Sequence, residues 1–251
     1  MKLVVIADIH GRTNWKDVIA QHPDADQVVF TGDYVDTHDD ITIVEILHNL
    51  KEIIAYGRAN PNTIFLLGNH DYPYIFGAMG TYQCSGFKSA AYHNYHQLFI
   101  ENIDLFKFAH LEGKYLFSHA GITTKWFNKY KDFMRDHLIM ITDGEADYLL
   151  DDPSALLNYG METKEIQAAM WEVGPARGGW HGSNGSPIWA DQSETRFGAL
   201  RGYTHIVGHT PQTKTGVKYF KIDNDTGIWY CDALFKEQTP SIKNHLVLYI
   251  D

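Results

Sequence analysis

Five short clusters in this chain bring together carboxylates, imidazoles and one amide: Asp8-Ile9-His10, Gly32-Asp33 with Asp36 three residues on, Gly68-Asn69-His70-Asp71, Ser118-His119 and Gly208-His209. Residues two apart on a strand face the same way, so Asp8 and His10 could grip one cation, although a helix cap beside a stray histidine would read the same. Together Asp8, His10, Asp33, Asn69, His119 and His209 offer hard oxygen and borderline nitrogen donors without a thiolate. Such a set suits Mn, Fe, Zn or Mg rather than copper. Six ligands exceed what one ion takes from a protein while keeping an open position. A carboxylate shared at Asp33 would hold two ions about 3.5 to 4 Å apart, the spacing used for in-line phosphoryl displacement.

Each cluster ends an apolar run. KLVVIA (2–7), QVVFTG (27–32) and TIFLLG (63–68) are continuous hydrophobic stretches, the pattern of strands buried on both faces. Between the last two, Ile43, Ile46, Leu47, Leu50, Ile53 and Ile54 recur at helical spacing, with Glu45, Lys51 and Glu52 off that face. The order predicts β-α-β-α-β and a parallel or mixed sheet covered by helices. Ligands collect at the carboxyl ends of such strands, where all three clusters fall. YLFSHAG (115–121) and HIVGHTP (205–211) repeat the device of a strand running into a histidine. Residues 125–171 read as mostly helical, with the acidic run DGEADYLLDDP a solvated surface. The runs KYFKI, IWYCDAL and HLVLYI between 216 and 250 predict a second, largely antiparallel sheet.

The 251 residues, 44% of them hydrophobic and 14% aromatic, predict a globular chain folded as one domain over 1–251. A formal charge of −10 opposes non-specific binding to nucleic acid. A phosphate-bearing substrate would then need local positive charge, which metal ions supply. Cys84 and Cys231 form neither a Cys-x-x-Cys pair nor a disulfide framework. No apolar run approaches the roughly 20 residues of a membrane span, and Met1 leads directly into a strand-like segment, so the chain is expected to be cytoplasmic and away from membranes.

The order D-x-H, G-D-x-x-D, G-N-H-D, S-H-A-G, G-H-T-P resembles the calcineurin-like metallophosphoesterases, and within them the branch of serine/threonine protein phosphatases and symmetrical dinucleoside tetraphosphatases. The resemblance spans Asp8 to Pro211. It implies an α/β fold, a four-layer α-β-β-α sandwich of two mixed β-sheets flanked by helices, with a dinuclear metal centre. Asp8 and His10 would hold the first ion, Asp33 would bridge, and Asn69, His119 and His209 would hold the second. Many members carry a second histidine where this chain has Pro211. His70 would protonate the leaving oxygen, Asp36 would orient and charge His70, and a hydroxide on the metals would attack phosphorus.

The chain departs from the pattern in one place. Thr37 stands where that branch carries a phosphate-clamping arginine, and VDTHDD continues with acids. Arg12, Arg177, Arg196 and Arg201 are candidate replacements, Arg12 foremost because it follows His10 by two residues. Glycines crowd GPARGGWHGSNG (174–185), an active-site loop or a plain surface loop in which Trp180 could stack on a base or peptide ring or cap the core, beside His181. The expected substrate is a phosphorylated small molecule, a nucleotide or a phosphoprotein. A non-catalytic interaction scaffold and a phosphodiesterase are the competing readings.

Overall fold

One lysine and four hydrophobic residues, Lys2–Ile6, form strand β1, whose last four side chains are all buried. The structure, a computed structural model, describes residues 1–77, 82–142, 146–161, 164–212, 216–234 and 244–250. The chain divides into two compact units, the first comprising residues 1–106, 208–218 and 230–251 and the second residues 107–207 and 219–229.

In the first unit β1 is followed by helix α1 (Trp15–Gln21), strand β2 (Gln27–Phe30), helix α2 (Ile43–Ala59), strand β3 (Thr63–Leu66), the short helix α3 (Tyr72–Ile75), helix α4 (Tyr92–Ile100) and strand β4 (Phe106–Lys107). β1, β2 and β3 pair in parallel, Leu3 opposite Gln27 and Val28 opposite Thr63. Their carboxyl ends, and the polar clusters that follow, therefore share one sheet edge. Thr42 and Glu45 cap α2 reciprocally, each side chain accepting the other's backbone N–H. Ile46, Leu50, Ile53 and Ile54 are its buried face, as the spacing predicts. Phe30 stacks on Phe65 with ring centroids 5.0 Å apart, and Phe106 extends this aromatic core.

The second unit holds β5 (Ala109–Glu112), β6 (Tyr115–Ser118), helices α5 (Thr124–Thr142), α6 (Pro153–Tyr159), α7 (Lys164–Met170) and α8 (Gln192–Gly198), and strands β7 (Thr204–Val207), β8 (Lys218–Lys221) and β9 (Gly227–Tyr230). Its strand order is β5-β6-β7-β9-β8, with β5/β6 antiparallel and β6/β7 parallel. Asn158 of α6 accepts the N–H groups of Phe108 and Ala109 and donates to the Ala109 carbonyl, satisfying the start of the edge strand β5.

Each unit is thus a mixed sheet flanked by helices. The tail departs from the sequence expectation of a separate antiparallel sheet. β8 and β9 join the sheet that contains the parallel pair β6/β7, whereas the last strand, Leu246–Tyr249, returns to the first sheet and pairs antiparallel with β1, Lys2 opposite Tyr249. Of the acidic run at 143–153, residues 143–145 lie outside the described residues. Among the described residues, no helix is long and apolar enough to cross a membrane.

Candidate metal centre

Backbone strain marks the site before any side chain is considered. Among the described residues, the non-glycine positions with positive φ are Asp8 (50°), His10 (47°), Asp33 (57°), Asp36 (56°) and His209 (63°). A left-handed conformation costs an L-residue roughly 1 to 2 kcal/mol, so five such residues persist only where their surroundings hold them. Crossed backbone bonds do so in part: His10 N–H donates to the Asp33 carbonyl at 2.7 Å and Gly11 N–H to that of Tyr34 at 3.0 Å.

Asp71 supplies the rest. Its fully buried carboxylate accepts the N–H groups of Asp33 (2.8 Å) and Gly68 (2.9 Å) on one oxygen and those of Tyr34 (2.8 Å) and Val35 (3.4 Å) on the other. The loop after β2 is thereby tied to the loop after β3. Glycine is required twice where backbone passes a carboxylate: a Cβ at Gly68 would fall 2.1 Å from Asp33 Oδ1, and one at Gly208 would fall 2.0 Å from Asp8 Oδ2. His209 N–H donates to both Asp8 oxygens, at 2.9 and 3.0 Å.

These constraints converge the donors of the first unit. His10 Nε2 lies 3.6 Å from Asp33 Oδ2, and His10, Asp33 and His70 present ligand atoms within 4.8 Å of one another. His10 Nδ1 is 2.9 Å from the Asp36 carbonyl. A carbonyl only accepts, so Nδ1 carries the proton and Nε2 keeps its lone pair on the side of Asp33. Burial, outweighing the attraction of Asp33, pushes the His10 pKa down to about 4, so the ring is neutral, as a ligand must be. Asp8, Asp33, Asn69 and His209 are each buried as well. Buried carboxylates beside the neutral His10 imidazole suit a hard or borderline divalent cation.

His70 sits differently. Its backbone N–H donates to Asp33 Oδ1 at 2.9 Å, while its ring Nδ1 lies 3.3 Å from Asp36 Oδ2 and 3.3 Å from Cys84 Sγ. The other Asp36 oxygen accepts the Tyr74 hydroxyl at 2.6 Å, and that hydroxyl in turn accepts the Lys88 N–H at 2.8 Å. Burial alone would lower the His70 pKa. The charge of Asp33, the Asp36 bond and the Cys84 bond together hold it well above the ordinary histidine value. Burial raises Asp36 despite its partners, and burial followed by the nearby Asp36 raises Tyr74, which stays a hydrogen-bond donor. The cluster can therefore keep a proton on His70 at neutral pH.

His119 is buried in the second unit, directly after β6. Arg12 is engaged by the protein, its Nε on Asp39 at 2.8 Å and an Nη on the carbonyls of Asp8 (3.2 Å) and Leu234 (3.0 Å). Thr37 accepts the Asp39 N–H at 3.0 Å and so shapes the same turn. Arg177 pairs with Asp191, Arg201 with Asp223, and Arg196 lies over the Phe220 ring. Trp180 is 87% exposed rather than capping the core, and His181 is exposed beside it. Sequence reasoning missed three residues: Asp71, Tyr74 and Cys84. Asp71 closes the G-N-H-D motif and could have been found there. Nothing local marks the other two.

Set beside known proteins, the chain matches the family described as calcineurin-like phosphoesterase over residues 1–213. No curated protein matches it. Among solved structures, the cold-active protein-tyrosine phosphatase of a psychrophilic Shewanella sp. is similar at 17% identity and a TM-score of 0.51, over 98% of this chain and 75% of that one. A point mutant of a cold-active protein tyrosine phosphatase is similar at 16% identity and a TM-score of 0.53, over 98% and 74%.

Proposed function

Because this chain belongs to the calcineurin-like phosphoesterase family, we propose that it is a dinuclear-metal-dependent hydrolase acting on a phosphomonoester of the phosphoprotein type or on a nucleotide phosphoanhydride, with residues 1–251 working as one domain. Asp8 and His10 would hold one ion, Asn69, His119 and His209 the other, with Asp33 shared. The neutral His10 ring and the buried carboxylates around it fit that role. Bound ions, Mn foremost and Fe, Zn or Mg alternatively, would supply positive charge for the phosphoryl oxygens and an activated nucleophile.

The observation that carries this reading is the His70 cluster. A histidine whose Nδ1 is held 3.3 Å from Asp36 Oδ2, on the loop that also bears Asn69, can deliver a proton from Nε2 to a departing alkoxide while Asp36 retains the one on Nδ1. Tyr74 fixes Asp36 from behind. Phosphate recognition differs from that of the branch with arginine in the place of Thr37. An incoming phosphate would have to compete with Asp39 for Arg12, or draw on Arg177, Arg201, Trp180 and His181.

A panel run on Mn-reconstituted protein tests the assignment. An aryl phosphomonoester heads it, after the activity named for the Shewanella neighbour, followed by phosphoserine peptides, nucleoside polyphosphates and a bis-aryl phosphodiester. Turnover of a monoester or an anhydride is the expected result. Turnover of the diester alone would make the protein a phosphodiesterase, and inactivity on all four with two ions bound would make it a scaffold.

A further inference from the structure

Cys84 takes no step in the hydrolysis proposed above, yet it stands against the acid. Its thiol, half-buried, lies 3.3 Å from His70 Nδ1 and 3.7 Å from the Asn69 carbonyl oxygen. Asp36 Oδ2 is 3.3 Å from the same nitrogen, and the three ligand atoms all lie within 4.8 Å of one another. Around a tetrahedral zinc, with Zn–N and Zn–O near 2.0 to 2.2 Å and Zn–S near 2.3 Å, ligand atoms stand about 3.3 to 3.7 Å apart. The two separations at Nδ1 fall at the short end of that range. We propose that Asp36, His70 and Cys84 form a separate inhibitory site for one thiophilic divalent cation, zinc or cadmium.

The site differs in kind from the dinuclear centre. That centre offers oxygen and nitrogen donors only, whereas a thiolate selects zinc or cadmium over manganese and magnesium. The Cys84 Sγ, His70 Nδ1 and Asp36 Oδ2 come from three separate stretches of one unit, and a water can complete the tetrahedron. On binding, the Cys84 thiol proton and the proton on His70 Nδ1 pass to solvent, and no electron changes hands. His70 then holds a cation where it held a proton. Its remaining N–H, on Nε2, could be given up only by forming an imidazolate, so it no longer serves as an acid.

The inhibitory half of this inference rests on His70 being the acid; the ligation does not. Mn-loaded protein with its thiols verified as reduced is titrated with cadmium, and the thiolate-to-cadmium charge-transfer band, retained manganese and alkyl phosphate turnover are followed together. One equivalent should produce the band and suppress turnover with manganese still bound. Cys84→Ser should abolish the band and need at least tenfold more cadmium for the same fractional loss of its own rate. No band with the wild-type protein, or an undiminished band in Cys84→Ser, would overturn the site. A band without inhibition in an active protein would overturn its inhibitory role. If the protein hydrolyses nothing, the band still decides the ligation, and the failure belongs to the proposed function.

Discussion

Tyr74 donates its hydroxyl hydrogen to Asp36 Oδ1 at 2.6 Å, on the oxygen opposite the one that faces His70. Both residues are fully buried, so the carboxylate that charges the acid is fixed from two sides in a setting where water cannot replace either bond. Tyr74→Phe removes a hydrogen bond to a charged group, worth about 1.5 to 3 kcal/mol. Urea denaturation should show a loss of that order, and alkyl phosphate turnover should fall more than aryl turnover.

Asp71→Asn should be costlier than its isosteric size suggests. An amide oxygen can still accept two of the four N–H groups, but the amide nitrogen would then face the other pair, donor against donor. Leaving a buried donor unsatisfied costs about 1 to 3 kcal/mol, so a loss of at least about 2 kcal/mol is expected. Chemical denaturation measures it. Weaker binding of both ions, read by elemental analysis after dialysis, should accompany it because the loop bearing Asp33 is released.

His205 predicts an acid-side loss of stability away from the site. Burial lowers its pKa from 6.5 to about 4, and its Nε2 donates to the Leu200 carbonyl at 2.9 Å. Between those values the unfolded chain binds a proton that the folded chain refuses. The contribution is therefore fully present above pH 6.5 and is lost as the pH falls toward 4, at up to about 1.4 kcal/mol per pH unit. Comparing wild type with His205→Gln in urea at several pH values isolates it. The variant should show a slope flatter by up to one proton.

Legibility in the sequence followed the range of the forces involved. β1, β2, β3 and α2 were readable because burial writes itself into local patterns, continuous apolar runs for strands covered on both faces and 3.6-residue spacing for α2. The partner of β1 was not: Leu246–Tyr249 pairs with it across most of the chain length, and no local signal encodes that choice. β4 has two residues, too few for any periodicity. At the site, the donors were legible as residue types at strand ends, whereas Tyr74 and Cys84 became relevant only when folding set them against Asp36 and His70. Likewise, the sequence shows Arg12 near His10 but not the carboxylate of Asp39 that occupies it.

The central claim is that His70 works as a proton donor and not as a metal ligand, and the most direct measurement is the ratio of alkyl to aryl phosphate turnover in His70→Asn. Because Asn69 and not His70 is the proposed ligand, two ions should remain bound at saturating manganese. Alkyl phosphate hydrolysis should slow by about 10²- to 10⁴-fold, the range for general-acid catalysis. An aryl phosphate with an acidic leaving group needs no such proton, so its rate should fall much less and the ratio should drop. Equal losses on both substrates, or loss of an ion from the variant, would contradict the account.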